Sequence, residues 1–457
     1  MLLRTILFGK TYEFPDIRIL MGKANEEKSG DRLAGLSADT LAERAAAKIV
    51  LANLPLWVLR DNPAAPYEVD EVTRVIQDSV NESIFSEIKG WTVGELREFL
   101  LNDQVGCDQI LRISDGLTSE MISAVTKIMS NMDLVYAASK IRVIRHCENT
   151  IGMEGTLSSR LQPNHPTDSP EGIRASIYEG LSYGVGDSVI GINPADDSYG
   201  SVSRLLDMTY EIIKNHAIPT QNCVLAHVTT QMRCLQSGSP VGLVFQSICG
   251  SQKGNESFGI SVGLLDEAYE LAKKYCYPSG PNYMYFETGQ GSALSANAHH
   301  GWDQLTLEAR NYGLAKRYHP FQVNTVVGFI GPEYLYNTEQ IHRAGLEDHF
   351  MGKLTGISMG CDVCYTNHAK TDQNSSENLA MLLTAAGCNF FMGVPMADDS
   401  MLSYQSTSFH DIAALRSIFR LKPAPEFEQW MESYGILKNG QLTNKAGDPT
   451  IFLGRQK

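Results

Sequence analysis

Between residues 156 and 394, short apolar runs that end in a polar residue alternate with helical stretches, about eight times over. The runs are 156–162, 188–193, 222–227, 242–247, 282–287, 322–329, 356–362 and 388–394. Helical patterns separate them at 171–183, 202–215, 262–274, 303–312, 339–350 and 377–386. Strands joined through helices must run parallel, because each helix carries the chain back to the starting edge of the sheet. Eight such units predict an α/β fold, a (β/α)8 TIM barrel over 151–420. The unit from His227 to Ser247 is short, which keeps a doubly wound open sheet as the alternative.

The flanks read differently. Gly9-Lys10 separates two β-prone runs, so a short hairpin is expected within 1–14. From about residue 29 the pattern is helical, and Ser37-Ala38-Asp39-Thr40-Leu41 reads as a helix opening. Thr92-Val93-Gly94-Glu95 and Thr118-Ser119-Glu120-Met121 each resemble a polar N-cap before an apolar run. A mainly helical N-terminal domain over 1–150 is predicted, and a C-terminal appendage over 421–457 with a turn-rich end.

The 457-residue chain carries a net charge of −14, which argues against nucleic acid as a partner. No apolar run is long enough for a membrane span, and the first residues are too soon interrupted for a signal peptide. Nine scattered cysteines suit reduced thiols in a cytosol better than a disulfide framework.

Active sites of such barrels sit at the C-terminal ends of the strands. Taken in order, these ends offer Arg160 and Gln162, Asn193, His227, Gln246 and Ser247, Glu287, Phe329 and Asp362. The eighth run leads into a loop with Asp398, Asp399, Met401 and Leu402. Convergence would give a cavity with one Arg, two carboxylates, several amides and a phenyl ring. It would hold no strand-end Lys for a Schiff base and no His-and-carboxylate metal set. That lining suits a small molecule bearing an amine and a hydroxyl. A carboxylate at a strand end can also merely cap the next helix, and His227 reads first as a hydrogen-bonded structural residue. Cys361-Asp362-Val363-Cys364 lacks a second Cys pair, so the Asp is its more useful member. Gly289-Gln290-Gly291 lacks the spacing of a dinucleotide loop and reads as a place where backbone approaches a bulky ligand. Glu347-Asp348-His349-Phe350-Met351-Gly352 approximates a cobalt-histidine signature but lies in a helix, and a solvated helix end is expected.

Tyr285-Phe286-Glu287-Thr288-Gly289-Gln290-Gly291-Ser292, Cys223-Val224-Leu225-Ala226-His227 and Val326-Val327-Gly328-Phe329-Ile330-Gly331-Pro332 carry a resemblance that spans essentially the whole chain. With 156–164, 191–194, 244–250 and 356–367 they resemble the large subunit family of ethanolamine ammonia-lyase. The resemblance implies adenosylcobalamin-dependent conversion of ethanolamine to acetaldehyde and ammonia, with the corrin over the strand C-termini and its own benzimidazole on cobalt. It implies a small subunit that shares the cofactor, large subunits assembled as a trimer of dimers, and a reactivating factor. A bacterial cytoplasmic setting follows, with enclosure in an ethanolamine-utilisation microcompartment left open. By match to the family, Glu287, Asp362 and Arg160 are catalytic, with Gln162, Asn193, Phe329 and Leu402 also around the substrate. Pro194, Gln246, Ser247, Ser295 and Met401 would lie against the cofactor, and no residue ligates the metal. Two other classes stay in view: a barrel aldolase or isomerase, and a non-enzymatic component of an ethanolamine-utilising compartment.

Overall fold

A computed structural model describes residues 2–454. Met1 and residues 455–457, the outer ends of the two expected flanking segments, lie outside the described residues. Eight parallel strands form one sheet: β1 Ser158–Leu161, β2 Val189–Ile192, β3 Asn222–Val224, β4 Val244–Ser247, β5 Met284–Thr288, β6 Gln322–Val327, β7 Met359–Val363 and β8 Phe390–Gly393. The first strand pairs with the last, from Ser158 opposite Phe390 to Leu161 opposite Gly393. That pairing excludes the open doubly wound sheet and makes the barrel.

Barrel helices follow the strands: α1 Pro170–Ser182, α2 Tyr199–Asn215, α3 Val228–Gln236, α4 Val262–Tyr275, α5 Gln304–Lys316, α6 Thr338–Leu354, α7 Gln373–Ala385 and α8 Phe409–Phe419. The sequence pattern did not reveal α3 or α8. The short third unit explains one of these: β3 has three residues and α3 nine.

The seam between β3 and β4 is not a regular ladder. One backbone bond crosses it, from Leu243 N–H to Asn222 O at 3.0 Å. Side chains supply the rest. Gln231 on α3 accepts from Phe245 N–H at 2.9 Å and donates to Phe245 O and Ala226 O at 2.8 and 2.7 Å. Gln246 accepts from Val228 N–H at 3.0 Å. Buried backbone groups must be paired, and here amide side chains stand in for a neighbouring strand.

Around β5 and β6 the chain adds another layer. Helices Ser119–Lys127 and Asn131–Ser139 of the N-terminal region pack on α5 and α6. As a result α5 is buried on nearly every face although it carries Glu308 and Arg310. Its charges are met across the layer boundary. Lys127 pairs with Asp303 at 2.7 Å, and Arg310 with Glu120 at 2.7 Å and Asp70 at 3.0 Å. On α6, Glu347 takes Lys28 at 2.8 Å and Arg343 at 2.6 Å.

Two departures from the sequence reading lie in this layer. Thr92 and Glu95 do form the expected reciprocal cap. Thr118 makes no side-chain cap, its hydroxyl being buried without a partner, and Glu120 pairs with Arg310 and Ala64 N–H across the layer boundary. The segment Glu347-Asp348-His349 is not a solvated helix end. It lies inside α6 and is fully buried, because the N-terminal layer covers it.

The hairpin Arg4–Leu7 and Lys10–Glu13 turns at Phe8 and Gly9. At the other end, helix Pro425–Tyr434 returns against the barrel, where Trp430 donates to His216 O at 2.9 Å and stacks on Phe452. No helix among the described residues is long and apolar enough to cross a membrane.

Gln231→Leu is expected to strand three buried backbone groups and cost about 3 kcal/mol or more. A lowered thermal midpoint with native far-UV dichroism would register this, and an unchanged midpoint would refute the seam's dependence on Gln231.

Candidate active site

The interior follows from strand alternation, which sends every second side chain inward. The lower layers are apolar: Val189, Cys223, Leu225, Phe245, Tyr285, Phe390 and Met392 pack together. Above them the inward residues turn polar. Arg160, two residues before the end of the predicted first strand run, lies across this boundary and is 1% exposed.

A buried guanidinium needs partners for its donors. Arg160 Nη1 donates to Tyr285 OH and to Glu287 Oε1, each at 2.7 Å. Its Nη2 donates to Asn193 Oδ1 at 2.6 Å and to Gly191 O at 3.4 Å. Burial pulls its pKa down, but Tyr285, Glu287 and Tyr404 more than offset this, so Arg160 stays charged. Space for the side chain comes from Gly191: a Cβ there would stand 2.6 Å from Arg160 Nε.

Glu287 is held asymmetrically. Oε1 accepts from Arg160, from Tyr285 OH at 2.7 Å and from Asn324 Nδ2 at 3.4 Å. Oε2 has no partner among the described residues, and the side chain is 15% exposed. Beside it, Asn324 Oδ1 is buried and also unpartnered. Of these two acceptors, only the Glu287 carboxylate has access to the barrel mouth, since Asn324 Oδ1 is sealed in.

Asp362 is 4% exposed and fully engaged. Tyr404 OH donates to Oδ2 at 2.7 Å and Ser406 OH to Oδ1 at 2.5 Å. Burial pushes its carboxyl up, the two hydroxyls pull it back, and Glu287 adds a smaller upward push, leaving it at about 7. Burial also keeps Tyr285 and Tyr404 neutral.

A loop after β8 closes the top. Asp399 Oδ1 accepts from Met401 N–H at 3.0 Å and Leu402 N–H at 2.8 Å. Its Oδ2 accepts from Gln162 at 2.6 Å and Asn164 at 2.8 Å. Gln162 also donates to Tyr404 OH at 2.9 Å. The Phe329 ring meets Tyr404 edge-on at 5.3 Å. Two strands along, after β2, Asp168 accepts from Ala195 and Asp196 N–H, which fixes the turn carrying Asn193 and half-buried Pro194.

Arg160, Gln162, Asn193, Glu287, Phe329, Asp362 and Leu402 thus share one polar network at the barrel mouth or border it. Gln246 and Ser247 end β4 at the seam, Met401 sits beside Leu402, and Ser295 is exposed at the end of a short helix, donating to Ser292 O. His227 caps α3, accepting from Thr229 N–H, with Nε2 3.1 Å from Phe258 O. Cys361 and Cys364 are buried thiols that burial holds well above their usual pKa, and Cys364 donates to Val327 O. In the Gly289-Gln290-Gly291 turn, the Cβ space at Gly291 is filled by Tyr334 and that at Gly289 by Val326 O, so these two glycines let protein come close.

Four site residues were not singled out from the sequence. Tyr285 lies two positions before Glu287 on the same strand face, and Asn324 is the register partner of Glu287 in the next strand, so parity could have found both. Tyr404 and Ser406 had no local signal.

Gly191→Ala is expected to displace the Arg160 guanidinium and cost about 1–3 kcal/mol. Thermal unfolding and a crystal structure of the variant check this, and an unmoved Arg160 would contradict it.

A family model described as ethanolamine ammonia lyase large subunit matches residues 12–445. The chain is 57% identical over 452 residues to the ethanolamine ammonia-lyase large subunit of Escherichia coli (strain K12), covering 99% of this chain and 100% of that relative. It is 56% identical, over the same share of each chain, to that of Salmonella typhimurium (strain LT2). With a family match over nearly its full length and relatives aligned end to end, this chain belongs to the ethanolamine ammonia-lyase large subunit family.

Proposed function

We propose that this chain converts ethanolamine to acetaldehyde and ammonia by adenosylcobalamin-dependent radical chemistry, together with a small subunit. The observation that carries the reading is the unused carboxylate oxygen Glu287 Oε2, on a side chain whose other oxygen is held by Arg160. A substrate ammonium would bring the donor it lacks. Arg160 and Tyr285 hold Glu287 in place, so the carboxylate meets the amine without reorganising. Arg160 Nη1 and Asn193 lie next to that place and suit a hydroxyl or a migrating nitrogen. Asp362, fixed by Tyr404 and Ser406, supplies a second carboxyl whose charge is tunable near neutrality.

The mouth fits the cofactor in its chemistry. Pro194, Gln246, Ser247, Ser295 and Met401 are uncharged and present amide, hydroxyl and thioether groups, which suit a large ligand fringed with neutral amides. When bound, adenosylcobalamin supplies the radical that starts the reaction. Phe329 and Leu402 exclude water from the amine-binding place. A Schiff-base aldolase is disfavoured, since none of the eight strands ends in Lys. We further propose homo-oligomers of large subunits, a reactivating factor and a bacterial cytoplasmic or microcompartment setting, all by analogy with the family.

Acetaldehyde and ammonia release by the chain with small subunit, adenosylcobalamin and ethanolamine tests the reading; no product would sink it. Glu287→Gln is expected to keep cofactor binding, followed by absorbance, and to lower turnover by about 1,000-fold. Asp362 is neutral below about 7 and charged above. If its charge assists the amine, kcat/KM falls on the acid side of pH 7, and Asp362→Asn flattens that limb. A limb that persists in the variant would reassign it.

A further inference from the structure

Behind the wall of β5 and β6, on the side away from the cavity, lie two buried carboxyls that the chemistry above does not use. Glu308 on α5 is 2% exposed and Asp348 on α6 is fully buried. Thr288 OH donates to Glu308 at 2.5 Å, and Thr325 OH to Asp348 at 2.8 Å. In the sheet register Asn324 stands opposite Glu287, and Thr325 opposite Thr288. Successive strand residues point to opposite faces. The inward pair Glu287 and Asn324, joined by the Asn324 amide, is therefore followed, one residue later on each strand, by an outward pair each bound to an acid. Gln290, two residues further, donates to Asp348 at 2.7 Å.

We propose that Glu308 and Asp348 are positioning residues that, by gripping Thr288 and Thr325 from outside the barrel, set the depth and aim of Glu287 and Asn324 inside it. Core filling alone does not account for them. Buried carboxyls are poor fillers, and apolar residues of similar size pack at lower cost. Burial pushes Glu308 up to about 7 and raises Asp348 well above the usual carboxylate range, a sign of that cost. Each is satisfied by groups tied to the strand ends: Glu308 also takes Tyr312 OH at 2.7 Å and Asn311 Nδ2 at 2.7 Å, which lock it on α5. A small error in the aim of a catalytic group is enough to matter, since a misplacement of about 1 Å costs up to about 100-fold. The inference rests on the ethanolamine reading for its kinetic arm only.

Thr288→Val and Thr325→Val remove each hydroxyl at nearly constant volume, while Thr288→Ser and Thr325→Ser retain it. In the complex with small subunit and adenosylcobalamin, the Val variants should lose about 10-fold or more in kcat/KM for ethanolamine. Cofactor affinity should hold, and the Ser variants should recover most of the loss. A crystal structure of Thr288→Val should show Glu287 Oε1 displaced from its 2.7 Å contact with Arg160 Nη1. That displacement is read without turnover, so an inactive wild-type complex would count against the ethanolamine reading and leave the positioning test standing. Should Thr288→Val not fold, Thr325→Val carries the same test through Asn324. Folded Val variants with wild-type kcat/KM and an unmoved Glu287 or Asn324 would overturn the proposal.

Discussion

A single positive charge in the interior of the barrel, Arg160, dictates much of what surrounds it. Its desolvation is costly unless every donor finds an acceptor. Glu287, Tyr285, Asn193 and the Gly191 carbonyl serve its two Nη atoms, while Nε stays buried without a partner among the described residues. Each commitment constrains another position. Glu287 must spend one oxygen on the guanidinium, which leaves the other for a ligand. Residue 191 must lack a side chain. Tyr285 must stay neutral and donate upward. Removing one side of such a buried pair costs about 3–5 kcal/mol, because the remaining charge is left uncompensated. The same arrangement that makes Arg160 tolerable therefore aims Glu287.

The protein uses the same device on the outside of the barrel. Helix α5 is polar on many faces and yet is buried along almost its whole length. Arg310 and Asp303 are answered by Asp70, Glu120 and Lys127 from the N-terminal layer. Ion pairs of this kind add little net stability compared with apolar packing, but they discriminate strongly against misplaced partners. Register between the helical layer and the barrel is thus written in charge.

Legibility in the sequence follows contact range. The eight strands were readable because a strand buried on both faces is a continuous apolar run, and its polar terminus marks the mouth. Arg160, Asn193, Glu287 and Asp362 could be lined up on that basis without knowing their distances. Asp362 could not be matched to its partners, since Tyr404 lies 42 positions away in a loop with no periodic signal. Helix α3 was hidden because its unit is so short. Glu347-Asp348-His349 looked exposed because local polarity was the only clue, whereas burial there is imposed by helices more than 200 positions earlier, as in the bond from Arg343 to Thr126 O. Glycine-rich Gly289-Gln290-Gly291 suggested a close approach to backbone, and the group that comes close at Gly291 is Tyr334.

The stitched seam gives the barrel a direction of compliance. A backbone ladder yields only by breaking several bonds together, whereas a side chain can swing aside by itself. Gln231 and Gln246 span the gap between β3 and β4, and Gln246 also stands at the rim proposed for the cofactor. A ligand donor that recruits Gln246 Oε1 competes with Val228 N–H for it. Occupancy of the mouth and the girth of the barrel are in that sense mechanically linked, through one rotatable side chain.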